Sequence, residues 1–224
     1  DVIGGSAHLR DCIPSKAIIH AADEFLKVSE MAGSKDSLGI SLSAPAIDLG
    51  KTAAWKDGIV GRLNTGVAGL LKKAKVKSID GRARFRDGKT VEVETETGPQ
   101  VIRAREIVIA TGSAPVELPD LPFGGNVISS TGALALAKLP KTLAVVGGGY
   151  IGLELGTAFA KLGAKVTVVE AQERILPLYD AELTRPVTKR LNELGVEVLT
   201  GAKAKTLSVK EDALVVEIGG EEKR

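Results

Sequence analysis

Two periodicities divide this chain of 224 residues. Apolar positions fall three or four apart to about residue 75, then alternate in twos to about residue 103. Beyond that, short apolar runs alternate with helical patterns. The opening, residues 1–11, reads as loop. Pro14 suits a first helical turn, where its missing N–H is no loss, and Ala17, Ile18, Ile19, Ala21, Ala22, Phe25 and Leu26 predict a helix after it. Residues 32–46, rich in Gly, Ser and Pro, predict a connection. A second helix is expected from Asp48, a residue suited to an N-cap, with Trp55, Ile59, Leu63, Val67 and Leu70 on one buried face. Lys56, Arg62 and Lys72 are expected away from that face.

From Val76 the alternation predicts short strands at 76–79, 83–85, 91–93 and 101–103, with turns at Asp80-Gly81 and Asp87-Gly88. The run Ile107-Val108-Ile109-Ala110 reads as a buried strand ending in Thr111-Gly112-Ser113. A proline-studded stretch follows, and a domain boundary is placed between residues 119 and 120. The remainder alternates: strand 143–146, helix 151–162, strand 166–170, helix 181–194, strand 196–199, then a hairpin over 207–218. That order predicts an α/β chain with a parallel, helix-covered sheet after the boundary and a β-meander before it.

The run Val145 to Glu154 contains Gly-x-Gly-x-x-Gly at Gly147, Gly149 and Gly152, with Gly148, Tyr150 and Ile151 between them. Alone the pattern is weak. Here an apolar strand precedes it, an amphipathic helix follows, and a second strand ends in Glu170. Gly147 permits a tight turn, Gly149 lets backbone approach a pyrophosphate, and Gly152 lets helix and strand pack closely. The free N–H groups and helix dipole then face the phosphates. Glu170 is placed to accept hydrogen bonds from both hydroxyls of an adenosine ribose and to repel a 2′-phosphate. The expectation is a Rossmann-like domain that binds NAD in preference to NADP; the plain alternative is a glycine-rich turn without a ligand.

Cys12-Ile13-Pro14-Ser15-Lys16 is the second informative segment. A helix start favours a thiolate at Cys12, and Lys16, four residues on, can share its face. That suits a redox site, and equally an ordinary cysteine beside a surface lysine. Hydrophobic residues make up 44% and charged residues 26%, with a net charge of +2, which points to neither a nucleic acid nor an anionic membrane as partner. The single cysteine rules out a disulfide within the chain and favours a reducing, cytoplasmic compartment.

Cys12 to Lys16 resembles the redox-active helix of the pyridine nucleotide–disulfide oxidoreductases, the dihydrolipoamide dehydrogenases in particular. Three stretches agree in the same order: Ile109 to Ser113 resembles the end of a flavin-domain strand, Ile128 to Thr131 the crossing between domains, and Gly149 to Glu154 the NAD turn. The similarity runs from about Cys12 onward. The wording from Trp55 to Val60 is nearest to bacterial enzymes of branched-chain oxoacid complexes. The resemblance implies an FAD domain over 1–119 and an NAD domain over 120–224, both incomplete. It implies electron transfer from dihydrolipoamide, free or on a lipoyl domain of a 2-oxoacid dehydrogenase complex, through a disulfide and FAD to NAD. Cys12, Lys16 and Glu154 would be catalytic, with Lys16 beside the flavin and paired to Glu154. Thr111, Gly112 and Ser113 would contact FAD, Tyr150 would gate the nicotinamide pocket, and Ala204 would touch the adenine. A homodimer is implied for the complete protein.

The chain departs from that pattern at Ala7, where the family has its second cysteine, and at Asp11, where it has glycine. The family's upstream FAD glycine motif and its C-terminal half, with a His–Glu pair, are not found, and neither His8 nor His20 matches the pair; His20 reads as a packed or rim histidine. The chain by itself is therefore expected to be inactive. Two other readings stand beside this one: a related flavoprotein without a redox disulfide, such as a soluble transhydrogenase or NADH oxidase, and a non-catalytic NAD-binding module.

Overall fold

The computed structural model describes residues 5, 11–33, 39–208, 213–218 and 220–223. The opening segment with Ala7 and His8 lies outside them. Two helices come first, α1 (Cys12–Gly33) and α2 (Leu49–Lys73). α1 begins at Cys12, so Pro14 does fall in the first turn, where no intrahelical donor is required. α2 is capped as expected: the Asp48 carboxylate accepts a hydrogen bond from Lys51 N at 3.1 Å.

The buried face of α2 differs from the expectation. It buries Leu49, Lys56, Val60 and Asn64, while Trp55, Leu63 and Leu70 are exposed. The main neighbour of α2 is α1, which covers a single stripe and leaves the more apolar stripe to solvent. Lys56, expected off the buried face, is buried to its tip and reaches Asp57 Oδ1 at 2.7 Å. His20 lies at the rim of α1 beside Trp55, ring centroids 6.3 Å apart.

Strands β1 (Arg82–Asp87), β2 (Thr90–Thr95) and β3 (Gly98–Arg103) form the antiparallel meander. The Asp87 side chain accepts from Lys89 N at 2.8 Å and closes the first hairpin. Two predicted strands are absent. Residues 76–79 and 107–110 have no strand pairing, and Val76, Val108 and Ile109 are exposed. An apolar run becomes a strand only if a neighbouring edge takes its N–H and C=O groups, and no described segment offers one.

After the short helix α3 (Ser130–Leu134) comes β4 (Thr142–Val146), α4 (Tyr150–Lys161), β5 (Lys165–Val169), α5 (Ala181–Glu193) and β6 (Glu197–Leu199). The three strands form a parallel sheet in the order β4-β5-β6, so the predicted α/β layering holds. The hairpin expected over 207–218 begins earlier, at Ala202: β7 (Ala202–Ser208) pairs with β8 (Ala213–Ile218), extended by β9 (Glu221–Lys223).

One core joins the first helix to the parallel sheet. Ile18, Ala22 and Leu49 share a cluster with Leu153, Phe159, Val166, Val168 and Leu191. Ala22 is fully buried, and its small side chain lets α1 approach α4 closely. Burying a side chain such as Phe159 contributes about 1.5–3 kcal/mol relative to leaving it in water. No described helix is long and apolar enough to cross a membrane.

Candidate nucleotide and redox site

The glycine turn sits between β4 and α4, and each glycine has its own reason to be there. Gly147 has φ +106°, a region that side chains avoid. A Cβ on Gly152 would lie 2.5 Å from Gly147 O and 2.9 Å from Val145 Cγ1, so only glycine lets the helix seat on the strand. A Cβ on Gly149 would meet nothing within 4 Å. That space opens directly off the start of α4, whose N-cap Gly149 offers no side-chain acceptor to the first-turn N–H groups. Donors without a capping side chain, beside open space and a helix dipole, form a cradle for an anion of diphosphate type.

Glu170 closes the turn from the side. Its Oε2 accepts from Gly148 N at 2.7 Å and its Oε1 from Gln172 N at 2.7 Å. Each carboxylate oxygen has a second lone pair, so both bonds can persist while the group accepts from a sugar hydroxyl. A third contribution was not legible in the sequence. Leu176, with φ +50°, donates its N–H to Gly148 O at 2.9 Å, and Ile175 Cγ2 would stand 3.0 Å from a Cβ on Gly148. The segment after Glu170 thus wraps back onto the turn. Leu176, a bulky residue held at positive φ, stores backbone strain beside the glycine turn.

Tyr150 and Ile151, the first residues of α4, are both exposed. Ala204 lies on β7, half-buried against the cluster of Val169, Ala202 and Val216. Val169 is the last residue of β5, so Ala204 lies on the Glu170 side of the sheet.

The cysteine segment meets α4 through an ion pair. Lys16 Nζ lies 2.7 Å from both oxygens of Glu154, which places the Cys12 helix against the helix that leaves the glycine turn. Cys12 is exposed at the first position of α1, and Ser15 Oγ donates to its carbonyl at 3.1 Å. Thr111, Gly112 and Ser113 are exposed and belong to no sheet; Gly112 has φ +75°. The structure therefore brings Cys12, Lys16, Glu154 and the glycine turn to one side of the molecule through α1 and α4, and leaves residues 111–113 on an unpaired segment.

A second ion pair between α1 and α4 escaped the sequence reading. Lys161 Nζ lies 2.5 Å from Asp23 Oδ1. Its only trace in the sequence is a charge seven residues after Lys16 and an opposite one seven after Glu154, a pattern common on any solvated helix face.

The chain matches the pyridine nucleotide-disulphide oxidoreductases over residues 2–224. It is 54% identical over 223 residues to a dihydrolipoyl dehydrogenase of Pseudomonas aeruginosa, covering 99% of this chain and 47% of that protein. It is 42% identical over 223 residues to one of Geobacillus stearothermophilus, with the same coverage. LpdA from Mycobacterium tuberculosis has a similar structure, with a TM-score of 0.82 and 26% identity over 98% of this chain and 48% of that one. RclA from Escherichia coli, an HOCl-induced flavoprotein disulfide reductase, has a TM-score of 0.75 and 27% identity over 98% and 46%. The chain spans about half the length of the curated relatives it matches. With the match running over nearly every residue, including the cysteine helix and the glycine turn, the chain belongs to the pyridine nucleotide-disulphide oxidoreductase family.

Proposed function

We propose that this chain carries the redox helix and the NAD-binding part of a dihydrolipoyl dehydrogenase that uses FAD and NAD. The observation that carries the reading is the Lys16–Glu154 pair, which ties a cysteine-bearing helix to the helix leaving a dinucleotide turn. The names of the relatives at 54% and 42% identity support it over a transhydrogenase, an NADH oxidase or a non-catalytic module. On this reading residues 1–119 belong to an FAD domain and residues 120–224 to an NAD domain. The complete protein is a cytoplasmic homodimer whose substrate is the lipoyl group of a 2-oxoacid dehydrogenase complex.

The residues divide the work. The Gly147–Gly149 backbone and the start of α4 hold the NAD diphosphate, Glu170 binds the adenosine ribose, and Ala204 borders the adenine. Tyr150 and Ile151 stand at the nicotinamide side of the turn. Thr111, Gly112 and Ser113 hold part of FAD. When bound, FAD supplies two-electron chemistry between thiols and nicotinamide. Cys12 presents its sulfur, exposed, at the first position of α1. Lys16 places a cation near it, and Glu154 fixes that cation by accepting two short hydrogen bonds. The pair is exposed enough that it contributes under about 1 kcal/mol to stability, so its value lies in placement.

Ala7 sets the test. Cys12 has no second thiol in this chain, so an internal disulfide cannot accept electrons. In a protein of the relatives' length carrying this segment, Ala7→Cys should raise dihydrolipoamide-dependent NAD reduction at least a hundredfold. Equal rates with and without the substitution, or no NAD reduction with the cysteine in place, would overturn the reading.

A further inference from the structure

We infer that Asp23 and Lys161 are positioning residues. Their ion pair sets the axial register between α1 and α4, and with it the level at which Cys12 stands beside the start of the NAD helix. The inference rests on the function just proposed only for its catalytic meaning; the register itself is a property of the two helices.

Lys16 pairs with Glu154 and Asp23 with Lys161 at the same separation of 138 residues. Two contacts at one constant offset mean that the helices run parallel and in step. The first residues of the two helices, Cys12 and Tyr150, share that offset. The two helix starts therefore stand level, so the thiol and the mouth of the dinucleotide turn are side by side. The pairs are two turns apart, about 10 Å along the axis, where an α-helix returns to nearly the same face.

The polarity reverses between the two pairs. At the upper level the cation is on α1 and the carboxylate on α4; at the lower level the order is exchanged. A slip of α1 by two turns in one direction would set Lys16 against Lys161, and in the other Asp23 against Glu154. Like charges in contact oppose both slips. A slip of one turn towards the C-terminus of α4 would direct the Lys16 ammonium at Ala158, which is 1% exposed. The lower pair is the more committed of the two. The Lys161 side chain is only 14% exposed, against 59% for Lys16. A side chain covered along its stem has little freedom to swing its ammonium away from the carboxylate, whereas the more exposed Lys16 has more.

The test uses spin labels in the 224-residue chain, whose single cysteine, Cys12, takes the first label, and Tyr150→Cys the second. The distance distribution between labels is measured with native Asp23 and Lys161, in Lys161→Met, in Asp23→Asn, and in the exchanged pair D23K/K161D. Each single change should at least double the width of the distribution or move its centre, and the exchange should return it to the native width. Single variants that lower the melting temperature but leave the label distance unchanged would make the pair merely structural and overturn the inference. An exchanged pair that folds but is as broad as the singles would overturn it too. Should a single variant not fold, the exchanged pair still decides. The labels need neither flavin nor turnover, so a failed assay with dihydrolipoamide would remove the proposed function and leave this result standing.

Discussion

Glu170 Oε2 stands 2.7 Å from the amide nitrogen of Gly148, so the carboxylate at the end of one strand holds the turn at the end of its neighbour. β4 and β5 pair in parallel with Val146 opposite Val169, which brings the two strand ends level. Gly147 N donates to Val169 O at 2.8 Å and completes the link. Glu170 thus shapes the glycine turn, and on the function proposed above the same carboxylate also selects the sugar.

Separating those duties gives the first prediction. Glu170→Ala should cost NAD about tenfold in affinity, or about 1.4 kcal/mol, and should erode the preference over NADP. Glu170→Gln keeps an acceptor for Gly148 N but loses the charge. It should retain more NAD affinity than the alanine variant while binding NADP better than the native chain. Calorimetric titration with both dinucleotides checks this; a native chain with no preference between them would contradict it.

Gly152→Ala should close the cradle. The added methyl would fall 2.5 Å from Gly147 O, a backbone atom of the turn itself, so α4 must move off β4. We expect at least a tenfold loss of NAD binding and a destabilisation of about 1–3 kcal/mol, read by titration and by thermal unfolding. Gly149→Ala meets open space on the protein side and should cost less stability than Gly152→Ala, the loss being that of a poorer N-cap, while still obstructing the dinucleotide.

Lys205 and Glu217 bridge β7 and β8 at 2.8 Å. The hydrogen bond between them raises the Lys205 ammonium above its ordinary 10.5 and lowers the Glu217 carboxyl below its ordinary 4.5. The Glu217 share of the stabilisation is present above 4.5 and is lost as pH falls through its depressed value. The Lys205 share is present below 10.5 and is lost as pH rises through its elevated value. Thermal unfolding of Glu217→Gln should therefore differ from the native chain most near neutral pH, by a small amount. The difference should vanish in strong acid and strong alkali. A difference that grows in acid would have the wrong sign.

Val108 and Ile109 are 87% and 70% exposed in an unpaired apolar run. Such a run is a template for strand addition by another chain. The native chain should bind an apolar dye and self-associate at micromolar concentration. Val108→Lys with Ile109→Lys should suppress both and leave the melting temperature within about 2 °C, because neither residue belongs to the core. Dye binding that survives the double substitution would place the exposed surface elsewhere, the α2 stripe of Trp55, Leu63 and Leu70 being the next candidate.

Much of the geometry of the glycine turn was legible because its logic is local. A strand, a glycine turn, a helix and an acidic residue at the next strand end lie within 30 residues, and each contact follows from spacing. The meander was equally readable, since its turns are made by adjacent residues such as Asp87 and Lys89. What spacing could not supply was the identity of the neighbour. The alternation at 76–79 and the apolar run at 107–110 state a capacity to pair, and with no edge beside them they join no sheet and leave Val76, Val108 and Ile109 exposed. The stripe on α2 shows the same limit: periodicity marks which residues share a face, whereas the position of α1 selects the face that is buried. The return of Ile175 and Leu176 onto the glycine turn, and the clasp of Asp23 with Lys161, arise from chain segments meeting in space. Their energy depends on distances that no run of letters contains.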